Sequence, residues 1–300
     1  MKILLFGAHG QLGWELCRSL TPLGNLITAG RHPNHAYPLD LSDLHSIKCL
    51  IEDLKPQLLV NAAAYTAVDQ AESEPDLAHR INSEAPAVMA ETAHSLGIPL
   101  VHYSTDYVFN GQGQEPYRES DPTDPLNIYG QSKRSGELAI ESQGGHYFIF
   151  RTSWVYGLRG KNFLLTILRL VRQKPELTIV HDQIGAPTWS RSIADLTTQI
   201  LAQGCHNFPE FFESHSGIYH LTAAGETNWH HFAQTIVSLD PHKTEHCLQH
   251  IKPIPSSAYP TPARRPAYSR LNNQKLQQTF KLQLPDWEVL LRLALINSDR

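Results

Sequence analysis

The sequence is sparing with cysteine, with charge of one sign and with long apolar runs. Its four cysteines, Cys17, Cys49, Cys205 and Cys247, stand far apart without paired spacing. That excludes a disulfide framework and a zinc site built on close cysteine pairs, and reduced thiols in a cytoplasmic protein are expected. No stretch approaches the roughly 20 apolar residues of a membrane helix. The opening MKILLFGAHG breaks at glycine after a few apolar residues, too short for a secretory leader. The formal net charge is -4, from 25 lysines and arginines against 29 aspartates and glutamates, with the signs interspersed. Such a distribution offers no basic face to nucleic acid and no polybasic tract to a membrane.

What is there is an ordinary globular composition, 41% hydrophobic and 18% charged over 300 residues. A chain of that length builds one large domain or two closely joined ones. Residues 2–7, KILLFG, form an apolar run ending in glycine, as a buried parallel strand does. Gly7-Ala-His-Gly10-Gln-Leu-Gly13 follows, and then WELCRSL, whose apolar positions recur at helical spacing. A glycine turn between strand and helix brings backbone N–H groups and the helix N-terminus to a pyrophosphate with no side chain in the way. The alternation continues through NLITAG, DLHSIKCLIEDL (capped by Ser42 or Asp43), QLLVNAAA, a helix near 84–96, PLVHYSTD and YFIFRTSW. Strands alternating with helices predict an α/β fold, a Rossmann-type doubly wound parallel sheet. Ala62, Ala63 and Ala64 at the end of one strand would let a flat cofactor lie against the backbone. Tight core packing explains an alanine run equally well. Where the second strand ends, the acidic residue that holds a ribose 2′-hydroxyl is missing, and Gly30-Arg31 stand there instead. An arginine suits a 2′-phosphate, so the expected cofactor is NADPH, with NADH possible.

Tyr129-Gly-Gln-Ser-Lys133 places a phenol and an ammonium four residues apart, on one face of a helix. A free tyrosine has a pKa of about 10, and a nearby lysine charge favours its phenolate, which suits acid/base chemistry. Ser104, Thr105 and Asp106 fall at the carboxyl end of a central strand, where open α/β sheets hold their ligands. Hydroxyl, phenol and ammonium converging there form a proton-delivery set for a carbonyl that receives hydride.

GAHGQLG, NAAAYTAVDQAE, HYSTDYVFNG, Tyr129-x-x-x-Lys133, RTSWVYG and YPTPARRPAYS together resemble the dTDP-4-dehydrorhamnose reductases, a family of extended short-chain dehydrogenase/reductases. The resemblance runs from residue 1 to about 290. It implies reduction of the 4-keto group of a dTDP-4-keto-6-deoxy sugar by NAD(P)H, on the route to the rhamnose of cell-surface polysaccharide. It also implies Tyr129 as proton donor, Lys133 tuning it and binding the nicotinamide ribose, and Thr105 polarising the keto oxygen. Gly10, Gln11 and Leu12 would meet the pyrophosphate, Asp40 and Leu41 the adenine. Ala64, Tyr65 and Thr66 would line the groove, with Tyr103 beneath the nicotinamide half. Asp106 and Trp154 would contact the sugar, although by itself Trp154 reads as a core aromatic.

Residues 1–155 are expected to form the dinucleotide-binding domain, with return segments around 176–205, and 156–300 mainly a smaller substrate-binding domain. In its proline-rich IKPIPSSAYPTPARRPAYSRL, Arg264-Arg265 offer forked donors to a diphosphate, and bracing through carboxylates is the equal alternative. His242, His246 and His250, spaced by four, would form a metal-binding stripe only on a continuous helix, which Pro241 and IKPIP oppose, so no metal is expected. Some relatives dimerise through carboxylates around a divalent ion. Glu15 and Glu288 fit that arrangement and Arg191 does not, which leaves monomer or homodimer open. Two rivals share the fold: a nucleotide-sugar epimerase or dehydratase, and a non-catalytic NADP-binding regulatory subunit. An epimerase consumes no net NADPH, a dehydratase needs more carboxylates than Asp106, and a binding module has no need of Thr105, Tyr129 and Lys133 together.

Overall fold

The computed structural model describes residues 1–296. Its main sheet has seven strands: β1 (Lys2–Phe6), β2 (Asn25–Gly30), β3 (Tyr37–Pro38), β4 (Leu58–Asn61), β5 (Leu100–Thr105), β6 (Tyr147–Thr152) and a last strand, Gly217–His220. From one edge the order is Gly217–His220, β6, β5, β4, β1, β2, β3, and every neighbouring pair is parallel. The chain winds outward from β1 to β3, then returns to the other side of β1 and winds outward again. The strand order therefore reverses between β1 and β4, the point at which such sheets bind ligands beyond their carboxyl ends.

Both faces are covered, so the strands read as nearly continuous apolar runs. Side chains alternate along β1: Ile3 and Leu5 join Leu12, Leu16, Ile193 and Ile200 on one face. Leu4 and Phe6 join Ile47, Ile51, Met89 and Ala93 on the other. The first face is covered by α1 (Gln11–Leu20) and the helix Ser190–Gln203, the second by α2 (Leu44–Leu54) and the helix Ala85–Ser95. At the start of α2 it is Asp43 that caps, accepting from the Ser46 N–H at 3.1 Å, a contact worth about 1 kcal/mol.

The second half returns to the sheet layer beyond the expected 176–205 segment. Gly217–His220 supplies the seventh strand, whereas Glu176–Val180 leaves the main sheet and pairs in parallel with His250–Ile254. Ile167, Phe232, Ile236, Leu290 and Leu291 share one continuous apolar cluster with Ile3 and Leu5. The histidine stripe does not form: one short turn, Lys243–Glu245, separates His242 from His246, and His250 opens a strand. His246 instead bonds Asp240 through Nε2 at 2.8 Å. All four cysteines are free thiols. Among the described residues no helix is long and apolar enough to cross a membrane.

Candidate active site

The turn from β1 into α1 is shaped by two glycines. Gly7 has φ +84°, and a Cβ there would lie 2.7 Å from the Ala63 backbone nitrogen. A Cβ on Gly13 would lie 2.0 Å from the Gly7 carbonyl, so the helix packs on the turn at backbone contact. Gly10 is the N-cap and brings no capping side chain, which leaves the first-turn amides of α1 free for an anion. The donor set fits a dinucleotide pyrophosphate. Gln11 Oε1 accepts from Asn162 at 2.8 Å, which ties the turn to the 157–162 loop. Leu12 is buried in the core, so its backbone is what faces a ligand.

Beyond β2, Arg31 is exposed, and Asp40 faces it. The backbone N–H of Ser42 holds Asp40 below the usual carboxylate range, bonding Oδ1 at 2.9 Å. Leu41 is buried, and Ala62, Ala63 and Ala64 line the end of β4 half-buried. Tyr65 turns its hydroxyl to Glu74 at 2.8 Å, and burial with that carboxylate pushes it up to about 12. Thr66 is exposed.

Tyr129 and Lys133 lie in the helix Ile128–Gln143, which Asn127 caps by accepting from the Gly130 N–H at 2.8 Å. The phenol of Tyr129 meets the hydroxyl of Thr105, at the carboxyl end of β5. Thr105 in turn donates to Asp106 Oδ1 at 3.1 Å and accepts the Tyr107 N–H at 3.2 Å. The same hydroxyl hydrogen-bonds the phenol of Tyr129 and works against the rise of its pKa. Burial raises Tyr129 to about 12, so the lysine-driven lowering expected from the spacing is not what this arrangement produces. The reason is where the ammonium goes. Lys133 Nζ donates to the Tyr103 carbonyl at 2.6 Å and lies 3.1 Å from His102 Nε2. Burial lowers Lys133 to about 8, against the opposing charge of Glu137. The same burial, with Lys133 beside it, holds His102 well below its ordinary value and neutral. The Tyr103 ring itself points into the core and donates to Thr197 at 2.8 Å, so the residue serves this site through its carbonyl.

Three further residues were expected on the sugar side. Asp106 is buried, and burial raises it to about 6 despite hydrogen bonds from Ser269, Ser153 and Thr105. Trp154 is half-buried, stacks on Trp229 at 3.5 Å and 7°, and has φ +47°, a left-handed backbone that bulky residues rarely adopt. Arg265 gives its fork to Asp69, with Nη2 to Oδ2 at 2.7 Å and Nη1 to Oδ1 at 3.1 Å. The pair bolts the proline-rich loop to the short helix Val68–Ala71 that follows β4. Asn127 strengthens that seam by donating to the Arg264 carbonyl at 2.7 Å.

The model for the RmlD substrate binding domain matches residues 1–299. The dTDP-4-dehydrorhamnose reductase of Burkholderia thailandensis is 48% identical over 297 residues, 98% of each chain. The chain belongs to the dTDP-4-dehydrorhamnose reductase family. A crystal structure of such a reductase from Clostridium acetobutylicum covers 100% of both chains at 33% identity and a TM-score of 0.89. Another, from Bacillus anthracis in complex with NADP, covers 99% of both at 33% identity and a TM-score of 0.85.

For a reductase of this family, the sequence reading missed a layer of side chains behind the reactive ones. Arg151 and Glu137, both fully buried, pair at 2.8 Å through two bonds, and Arg134 adds a third to Glu137 at 2.9 Å. Burial alone would raise Glu137, but the Arg151 fork brings it below the usual carboxylate range. Asn61 Nδ2 lies 3.1 Å from His102 Nδ1, completing a buried chain from Lys133 to β4. The signal was present: His102 and Arg151 are polar residues inside apolar strands, and Glu137 lies one helical turn after Lys133.

Proposed function

We propose that this reductase converts the C4 keto group of dTDP-4-dehydro-6-deoxy-L-mannose to the alcohol of dTDP-L-rhamnose, with NADPH preferred and NADH as the alternative donor. The product would supply rhamnose to cell-surface polysaccharide. The observation that carries this reading is the meeting of Tyr129 and Thr105 hydroxyls at the carboxyl end of β5, beside an uncapped glycine turn.

The reduced nicotinamide, when bound, supplies the hydride. Everything else falls to the chain. Gly7, Gly10, Gln11, Leu12 and Gly13 would hold the pyrophosphate through backbone amides, and Arg31 the 2′-phosphate. Ala62, Ala63, Ala64, Tyr65, Thr66, Asp40 and Leu41 would frame the adenosine half, and Tyr103 and Lys133 the nicotinamide ribose. A phenol raised to about 12 is protonated at neutral pH, which is what a proton donor requires. It is still a far stronger acid than an aliphatic alcohol, so transfer to the nascent C4 alkoxide runs downhill. Asp106 would orient Thr105 by accepting from its hydroxyl, and the protonated phenol of Tyr129 beside it would be the group that delivers the proton. Trp154 would wall the sugar pocket. Arg265 would act by holding its loop over the substrate, its fork being engaged by Asp69.

The test is loss of reduced-nicotinamide absorbance on mixing purified enzyme with NADPH and the 4-keto-6-deoxy sugar nucleotide, with the product identified as dTDP-L-rhamnose by NMR. Stoichiometric NADPH loss is expected. Interconversion of sugars without net loss would support the epimerase instead, and no turnover the binding module.

A further inference from the structure

Three imidazoles meet beside the glycine turn, and the proposed reaction uses none of them. His9 lies within the Gly7–Gly13 turn, His32 and His35 in the loop after β2. The rings of His9 and His32 stack with centroids 4.0 Å apart at 17°. His9 Nδ1 lies 3.0 Å from His35 Nε2, and the two rings meet edge-on. His9 and His32 are exposed, whereas His35 is only 7% exposed and its Nδ1 has no hydrogen-bond partner. Gly30 makes room for it: a Cβ there would come within 2.7 Å of His35 Nε2.

The charged groups around the cluster are Arg159, which faces His9 from the 157–162 loop, and Arg31, adjacent to His32 and itself faced by Asp40. Burial first, then the neighbouring imidazoles, and for His9 also Arg159, hold His9 and His35 below their ordinary value. Near neutral pH His9 and His35 are therefore largely uncharged by themselves. A dianion placed against the cluster would reverse the sign of the local field and draw protons onto it. The place is the mouth between the carboxyl ends of β1 and β2, where parallel sheets of this kind seat the adenosine ribose of a dinucleotide.

We propose that His9, His32 and His35, together with Arg31, form a proton-linked phosphate receptor that selects NADPH through its 2′-phosphate. This rests on the reductase reading, from which the dinucleotide is taken. The receptor has a sign that a passive site lacks. A phosphate monoester loses charge as pH falls toward its second pKa of about 6, so with arginine alone the preference for NADPH shrinks on acidification. With protons taken up by the cluster, the preference grows.

The test is a fluorescence titration of NADPH and of NADH against the wild-type protein at about pH 8 and about pH 6.5, with calorimetry in buffers of different protonation enthalpy. The expected result is a ratio of Kd values that moves roughly tenfold in favour of NADPH on acidification, one proton per unit of slope, with proton uptake for NADPH and none for NADH. His32→Gln, at an exposed position, flattens that slope. A preference that falls or stays level in the wild type, or an unchanged slope in His32→Gln, would overturn the receptor while leaving a reductase that binds NADPH. A protein that binds neither nucleotide would overturn the receptor and the reductase reading together.

Discussion

The ammonium of Lys133 lies 3.1 Å from Nε2 of the buried His102 and donates to the Tyr103 carbonyl at 2.6 Å, so it is anchored to β5 and not to the phenol one turn away. Burial depresses Lys133 to about 8, well below the ordinary lysine value, which means the charged form is the disfavoured one in the fold. Turnover should therefore fall as pH rises through about 8 and the ammonium is lost. The sign for stability is opposite: between about pH 8 and about pH 10.4 the unfolded chain holds the extra proton, so this group's contribution to folding grows with pH. Profiles of kcat and of melting temperature over that range should diverge.

Asp106 supplies the acidic limb. Its folded pKa of about 6 lies above the unfolded value of about 3.9, so its contribution to stability is present below the unfolded value and lost as pH climbs to about 6. Asp106→Asn should melt progressively higher than wild type between about pH 4 and about pH 6. It should also turn over more slowly, because the amide can donate to Thr105 and release the hydroxyl proton from its fixed direction. In the wild type, kcat should decline below about pH 6. An acid limb unchanged in Asp106→Asn would remove this residue from the proton chain.

Trp154 sets a strained backbone against a stacked ring. A left-handed φ of +47° costs on the order of 1–3 kcal/mol, and an aromatic stack returns about 0.5–1.5 kcal/mol beyond its buried area. Relief of the backbone strain offsets only part of what is lost with the stack and the ring's buried area, so Trp154→Gly should lower the melting temperature modestly. It should raise the KM for the nucleotide sugar about tenfold or more if the ring walls the pocket. A large melting shift with unchanged KM would return Trp154 to the role of a core aromatic.

Arg265 and Asp69 are joined by two bonds but are partly solvent-exposed, so a double-mutant cycle on stability should give a coupling of no more than about 1 kcal/mol. Asp69→Asn should nonetheless raise the KM for the nucleotide sugar, through displacement of the proline-rich loop. If Arg265 instead gripped a diphosphate directly, Asp69→Asn would free the fork and lower KM.

The sheet and its glycine turn were legible because backbone requirements leave marks in composition. Buried parallel strands such as KILLF and LLVN must be apolar on both faces, and only glycine fits at Gly7 and Gly13. Partnerships across long separations were not legible. Nothing local tells that Arg265 meets a carboxylate 196 positions earlier, or that Lys133 reaches a histidine on β5. The direction of the Tyr129 shift failed for the same reason. Helical spacing placed the lysine on the right face, but burial and the ammonium's own partners decided the electrostatics. The return expected around 176–205 is split: Glu176–Val180 pairs with His250–Ile254 outside the main sheet, whereas the helix Ser190–Gln203 packs on it.

The central claim is that Tyr129 delivers the proton to the C4 oxygen, and Tyr129→Phe tests it most directly. Single-turnover reduction should slow by about a hundredfold to ten-thousandfold, the range for loss of a positioned acid, while NADPH titrates with nearly the wild-type Kd. A Tyr129→Phe enzyme that reduced the keto sugar at the wild-type rate would contradict it.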